Sequence, residues 1–127
     1  MPDHKLIKWE PIEDLPDNFY IYEFTEKSDI LTLIFKSKEK SFNFKIVFNG
    51  YFTYRNTKYN SLLENNLNLP RQCGLFILEN SPYLKWFHYV SFDTCKNNKI
   101  KHYIIKATNN VVEILDCDTP TIELKED

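Results

Sequence analysis

The clearest periodicity in the chain runs from Phe42 to Asn49. Phe42, Phe44, Ile46 and Phe48 alternate with Asn43, Lys45, Val47 and Asn49, the period of two that a strand with one buried face requires. Two shorter runs precede it. Tyr20, Tyr22 and Phe24 fall on one side of a predicted strand, with Phe19, Ile21 and Glu23 on the other. Ile30 to Phe35 puts Leu31, Leu33 and Phe35 on one face. Ser28-Asp29 and the polar stretch 36–41 are short enough to join the three runs as a meander. Asn49-Gly50 is a strong turn signal, and Tyr51 to Arg55 then alternates as a fourth strand.

The pattern fades over 56–72, where Ser61-Leu62-Leu63-Glu64 has room for one helical turn before Pro70. Gly74 to Glu79 reads as a short buried strand. Asn80-Ser81-Pro82 is the best helix start in the chain, because Ser81 can accept from free first-turn amides and proline suits the first helical position. Tyr83, Trp86, Phe87 and Val90 follow at helical spacing, a stripe whose simplest use is packing against the core. After a polar loop at 93–99, Ile100, His102 and Ile104 alternate with Lys101, Tyr103 and Ile105. Asn109-Asn110 turns the chain into Val111 to Leu115, and Thr121 to Leu124 is a last edge strand. Residues 1–17 carry Pro2, Pro11 and Pro16 and predict an irregular arm, pinned by Trp9 and Ile12. The fold class expected is α+β: a twisted antiparallel sheet of six or seven strands, a meander, with one helix near 82–91 on one face, all in a single domain over 1–127.

Composition narrows the possibilities. Ten Phe, eight Tyr and two Trp in 127 residues, with a net charge of −2, exclude a disordered chain. No apolar run reaches the roughly 18 residues of a membrane helix, and the start Met-Pro-Asp-His-Lys lacks the apolar stretch of a signal peptide. The expectation is a cytoplasmic protein with no membrane partner. Cys73, Cys95 and Cys117 are odd in number and form no Cys-x-x-Cys pair, so neither a disulfide framework nor a structural zinc site is expected. With only two glycines, the turns fall largely to asparagine. Charge is segregated: residues 1–26 carry −5, 27–60 carry +5, 61–110 carry +3 and 111–127 carry −5. Such polarity is either mutual attraction between solvated faces or a field that steers a charged partner.

Candidate chemistry is sparse. The histidines, His4, His88 and His102, form no metal-binding spacing, and no local signature supports Cys73 or Cys95 paired with His88 or His102 as a nucleophile. His102 reads as a hydrogen-bonded structural residue. The carboxylate pairs Glu13-Asp14 and Asp116 with Asp118 lie in Pro-rich or turn segments, where acids are solvated. Lys36, Lys38, Lys40 and Lys45 lie near Phe42, Phe44, Tyr51 and Tyr54, but a pI near 5.9 and the apolar character of the Phe42–Phe48 face argue against nucleic acid. No catalytic residue, cofactor or metal ligand is therefore assigned, and the chain is not expected to be an enzyme.

Two stretches carry a resemblance. Residues 79–91, with Leu84, Trp86 and Phe87, and residues 100–115, with Ile100, His102 and Tyr103, form a Leu-x-Trp-Phe helix followed by an Ile-x-His-Tyr strand and a closing hairpin. This resembles a group of small bacterial proteins, mostly Gram-positive, of the type encoded beside polymorphic toxins and taken to be their immunity proteins. The match spans about a third of the chain. In the group a glycine commonly follows the Ser-aromatic pair; here Asp93 follows Ser91-Phe92. The resemblance implies a non-catalytic protein that binds a cognate toxin domain and blocks it by occlusion. If that toxin is a nuclease, an acidic surface would mimic its substrate, and Glu113, Asp116, Glu123 and Asp118, grouped about an expected edge hairpin, are the acids to supply it. The competing reading is a structural or regulatory module that self-associates or pairs through a sheet edge.

Overall fold

A computed structural model describes residues 5–13, 15–38, 42–58, 69–94, 99–108 and 110–126. Among these the chain forms nine strands and one helix. In order they are β1 (Lys5–Lys8), β2 (Tyr20–Lys27), β3 (Ile30–Lys36), β4 (Phe42–Phe48), β5 (Tyr51–Lys58), β6 (Gly74–Glu79), α1 (Pro82–Val90), β7 (Lys101–Lys106), β8 (Asn110–Asp116) and β9 (Thr121–Glu126). The α+β reading and the antiparallel pairing hold, but the single sheet does not. One sheet has the order β1-β6-β7-β8-β5 and the other β2-β3-β4-β9, and every pairing is antiparallel.

The two sheets face one another across a shared core. Leu31, Leu33, Phe35, Phe44, Ile46 and Phe48 come from the four-stranded sheet; Leu75, Tyr103, Ile105, Val112 and Ile114 come from the five-stranded one. Phe19, in the segment leading to β2, packs edge-on against Phe35 and Phe44 at 5.4 and 5.1 Å, geometries that suit the ring quadrupole. Phe48 reaches Tyr103 of the opposite sheet at 5.8 Å. Each such side chain withdrawn from water stabilises the fold by about 1.5–3 kcal/mol. The alternation expected of β3 and β4 is therefore present, with one inner face each.

Asn49-Gly50 is not a hairpin turn. It is the corner at which the chain leaves the four-stranded sheet at β4 and enters the five-stranded one at β5. Local signals name a turn here; only the other strands decide where the next one pairs. Gly50 is crowded: a Cβ there would lie 2.5 Å from Asp118 Oδ2 and 3.1 Å from Asp116 Oδ1, so the exposed Asp118 side chain would have to move aside.

Other expectations shift for local reasons. The irregular N-terminal arm contains β1, which extends the larger sheet by pairing with β6. Trp9 does pin it: its indole lies 5.1 Å from the Tyr103 ring and its amide donates to the Leu75 carbonyl at 2.9 Å. A bulge between Ile21 and Glu23 breaks the strict alternation of β2. Ile21 and Phe24 both pack on the core, while Tyr22 is turned out with the Lys36 ammonium 3.7 Å above its ring. Ser28 and Asp29 hold the left-handed conformation of a tight hairpin, as does Asn80 before the helix. The helical turn expected at 61–64 lies outside the described residues.

The second face of the five-stranded sheet carries two apolar groups as well. There Phe76, Leu78, Ile104 and Val111 form one buried group with Leu69, and Leu115 forms another with Tyr83 and Ile100. Buried Lys106 is held on the Pro70 and Arg71 carbonyls. α1 lies over this outer face, packing Tyr83, Leu84 and Phe87 toward it. Among the described residues no helix is long and apolar enough to cross a membrane.

Candidate functional site

α1 is positioned by the residue that caps it, Ser81. Ser81 sits in extended backbone before the helix, and its Oγ accepts from the Leu84 amide at 3.0 Å, while Pro82 opens the first turn as expected. Ser81 also reaches down into the sheet. Its Oγ lies 2.6 Å from His102 Nδ1, and His102 Nε2 lies 3.0 Å from Glu113 Oε1. Arg55 closes the chain by donating from Nε to Glu113 Oε2 at 2.6 Å and from Nη2 to Oε1 at 3.0 Å. The four groups come from β5, β7, β8 and the helix cap. Cross-strand register aligns them, with Arg55 directly opposite Glu113, and Glu113 opposite Ile104 with His102 two residues along.

Ser81, His102 and Glu113 are buried, while the Arg55 side chain is 49% exposed. Burial, the strongest influence on Glu113, raises its carboxyl; the hydrogen bonds from His102 and Arg55 and their charges outweigh it and hold the group below the ordinary glutamate range. An ionised carboxylate only accepts, so His102 Nε2 carries a proton toward it. With one ring proton, Nδ1 then accepts from the Ser81 hydroxyl, whose oxygen still holds the Leu84 amide.

A serine, a histidine and a glutamate in hydrogen-bonded series invite comparison with a hydrolase triad. The arrangement differs in three respects: the serine meets Nδ1 and the carboxylate Nε2, the hydroxyl is committed to a helix amide, and all three groups are shut off from solvent. The chain of bonds clamps α1 to the sheet. Replacing Ser81 with Ala removes the cap and leaves His102 Nδ1 without its donor, so equilibrium unfolding in urea should show a loss of about 1–3 kcal/mol. A loss under about 0.5 kcal/mol would mean the clamp holds nothing.

Above the clamp the helix is aromatic and uncovered. The Arg55 guanidinium lies 4.1 Å over the Tyr83 ring, and Trp86 stacks on the other side chain of that helical row, 5.7 Å from Tyr83. Thr53, Arg55, Pro82, Tyr83 and Trp86 line an open groove of about 520 Å³. The stripe expected to be core splits in two. Tyr83 is buried and Phe87 half-buried, but Trp86 is 51% and Val90 45% exposed. Tyr89 at 80% and Phe92 at 89% exposure continue the surface. Phe92 and Asp93 both have left-handed backbone, with φ of 53° and 58°. Asp93 N donates to the His88 carbonyl at 2.8 Å, an αL termination of the kind glycine makes most readily.

The acids expected to form one surface do not. Glu113 and Asp116 are buried in β8, which is an interior strand between β7 and β5 and not an edge hairpin. Asp118 is exposed just beyond β8, and Glu123 lies on β9, the edge of the other sheet, paired with Lys45 at 3.2 Å. Charge alone cannot distinguish these acids in the sequence, because burial depends on which strands flank β8. His102 is a hydrogen-bonded structural residue, more deeply buried than its alternation suggested, and both its ring nitrogens are engaged, which leaves none for a cysteine. Cys73 contacts Phe19 and Thr108, and neither it nor Cys117 is in a disulfide; Cys95 lies outside the described residues. Arg55, Ser81, Tyr89 and Phe92 carry no functional signal in the sequence beyond the Ser81 cap.

What these features define is an antiparallel two-sheet protein with an aromatic helix locked on one outer face. No family model, no curated protein and no solved structure matches the chain.

Proposed function

We propose that this protein binds and neutralises a cognate bacterial toxin domain by occlusion, without catalysis, and that it does so through the outer face of α1. The observation that carries the reading is the run of large uncovered side chains Trp86, Tyr89, Val90 and Phe92. Exposed apolar patches beside polar surroundings mark interaction sites, and tryptophan, tyrosine and arginine dominate the energetics of protein interfaces. Phe92 adds a second argument. A phenylalanine in left-handed backbone costs of order 1–3 kcal/mol, and a ring exposed to water returns nothing to folding. Such a residue is better explained by a partner than by stability. The clamp beneath supports the same reading, since a rigid helix loses less entropy on binding. The Leu84, Trp86, Phe87 and Ile100, His102, Tyr103 resemblance supplies the toxin as partner class. The acidic mimicry of a nucleic acid loses Glu113 and Asp116 to burial and is left with Asp118 and Glu123.

The experiment is growth rescue. The chain is co-expressed with the C-terminal domain of a large secreted protein encoded immediately upstream. Rescue, with the two proteins co-eluting, is expected; continued toxicity with this chain soluble and folded would overturn the reading. A stable homo-oligomer whose formation depends on Tyr89 and Phe92 would instead favour self-association, the competing use of the same face.

A further inference from the structure

Between α1 and the end of the five-stranded sheet, the clamp holds one cation in place and uses only part of it. Arg55 donates to Glu113 from Nε and Nη2. A guanidinium has five N–H donors in a planar fork, so three remain. The Arg55 side chain is 49% exposed and that of Glu113 wholly buried, so the surface presents the positive end of the pair. Among the described residues Arg55 is the one charged group lining the groove; Thr53, Tyr54, Pro82, Tyr83 and Trp86 make up the rest. The guanidinium stacks on Tyr83, and Tyr83 on Trp86 with ring planes 17° apart, so the cation and two rings form one row. The Tyr83 hydroxyl donates to Thr53 Oγ1 at 3.2 Å, which fixes the middle ring. The row is therefore set before any ligand arrives, and a guanidinium already held loses little freedom in making a further bond.

We propose that this groove takes a carboxylate side chain, an Asp or a Glu, from the protein that α1 binds. The remaining guanidinium hydrogens donate charge-assisted bonds to the carboxylate, and its methylene stem covers Trp86. The occupant is a protein segment and not a free anion, because an open groove does not enclose most of a small ligand as dedicated small-molecule sites do. Trp86 also joins the groove to the exposed helix face that continues with Tyr89. β5 is the last strand of its sheet, and the groove takes in both Tyr54 and Arg55, which lie on opposite faces of that strand, so it reaches the strand's edge. The proposal rests on the binding role inferred above and adds the chemistry of the anchor.

The test has two arms. In the first, the full chain alone is titrated with 3-phenylpropionate, a carboxylate on an aromatic stem, and separately with its neutral amide. NMR follows the Arg55 Nε–H and the Trp86 indole N–H. The carboxylate should shift both with a millimolar Kd, and the amide should bind roughly tenfold more weakly. Arg55→Gln should remove the preference for the carboxylate, and Trp86→Ala, which breaks no bond of the clamp, should weaken both probes. Far-UV circular dichroism confirms that each variant is folded; if Arg55→Gln is not, the two probes and Trp86→Ala still decide. No shift at these groups up to about 20 mM, or equal binding of carboxylate and amide, would overturn the proposal. In the second arm, each Asp and Glu of the co-eluting toxin domain is changed to its amide. One change should raise Kd roughly tenfold against the wild-type chain and less than about twofold against Arg55→Gln. A complex in which none does so would overturn the protein occupant. Growth rescue without probe binding would refute the groove alone, and probe binding without rescue would refute the toxin while supporting the carboxylate site.

Discussion

Replacing Glu113 with Ala is expected to destabilise the protein by about 2–4 kcal/mol, the cost of leaving a buried donor unsatisfied together with the loss of charge-assisted hydrogen bonds. Three connections end on this carboxylate: two from Arg55 and one from His102. Arg55 is half-exposed and can turn to water, so most of the loss comes from His102, whose Nε2 is left buried without an acceptor. Glu113→Gln should fall between wild type and Glu113→Ala. Its carbonyl can still accept from His102, but its amide presents hydrogens to the Arg55 guanidinium. Urea unfolding measures both, and a loss below about 0.5 kcal/mol for Glu113→Ala would show that the network contributes nothing.

The same carboxylate sets an acid dependence. Glu113 titrates lower in the folded chain than in the unfolded one, so its contribution is fully present above the unfolded value. It fades as the pH falls below about 4 and through the folded value, because protonation then favours the unfolded chain. The stability difference between wild type and Glu113→Gln should therefore shrink on acidification across that window. A difference that stays constant from neutral pH to pH 3 would contradict the pairing.

The second large effect concerns binding. Tyr89→Ala combined with Phe92→Gly should weaken the complex with the toxin domain by about 4 kcal/mol, close to a thousandfold in Kd, if each ring is an interface anchor. Stability should move little in the same variant. Tyr89 is almost wholly exposed, and glycine at position 92 releases left-handed strain instead of adding any. The pairing of lost binding with unchanged or raised Tm separates a contact surface from a structural one. Asp118→Lys and Glu123→Lys provide the comparison: they should alter the association rate and its salt dependence more than the dissociation rate. Calorimetry and surface-immobilised kinetics read both. Unaltered affinity in the Tyr89, Phe92 variant would remove the helix face from the interface, and a collapse confined to the two acid reversals would restore the acidic surface as the contact.

Much of the fold is legible in the chain because it is local. The alternation over Leu31–Phe35 and Phe42–Phe48 marks strands with one buried face, and Ser81-Pro82 marks the start of a helix, since a cap and a fixed φ act within a few residues. The bulge at Tyr22 and the short β1 escape this reading. The first breaks the period of two, and the second is too short and too polar to show it. The site divides along the same line. Ser81 is visible as a cap, and His102 as a hydrogen-bonded residue. That Arg55, His102 and Glu113 meet is invisible, because they lie on three strands brought into register only by pairing.

By itself, then, the sequence determined the period-two strands of the meander, the capped helix near 82–91, the Ser28-Asp29 hairpin and the supply of aromatic side chains. The tertiary structure alone decided that the strands divide into two sheets at Gly50, that β8 is interior and buries Glu113 and Asp116, and that half of the helical stripe faces water. The physical reason is one of range. Dihedral preference and periodicity act over a few residues, whereas burial is set by whatever distant segment comes to lie on top.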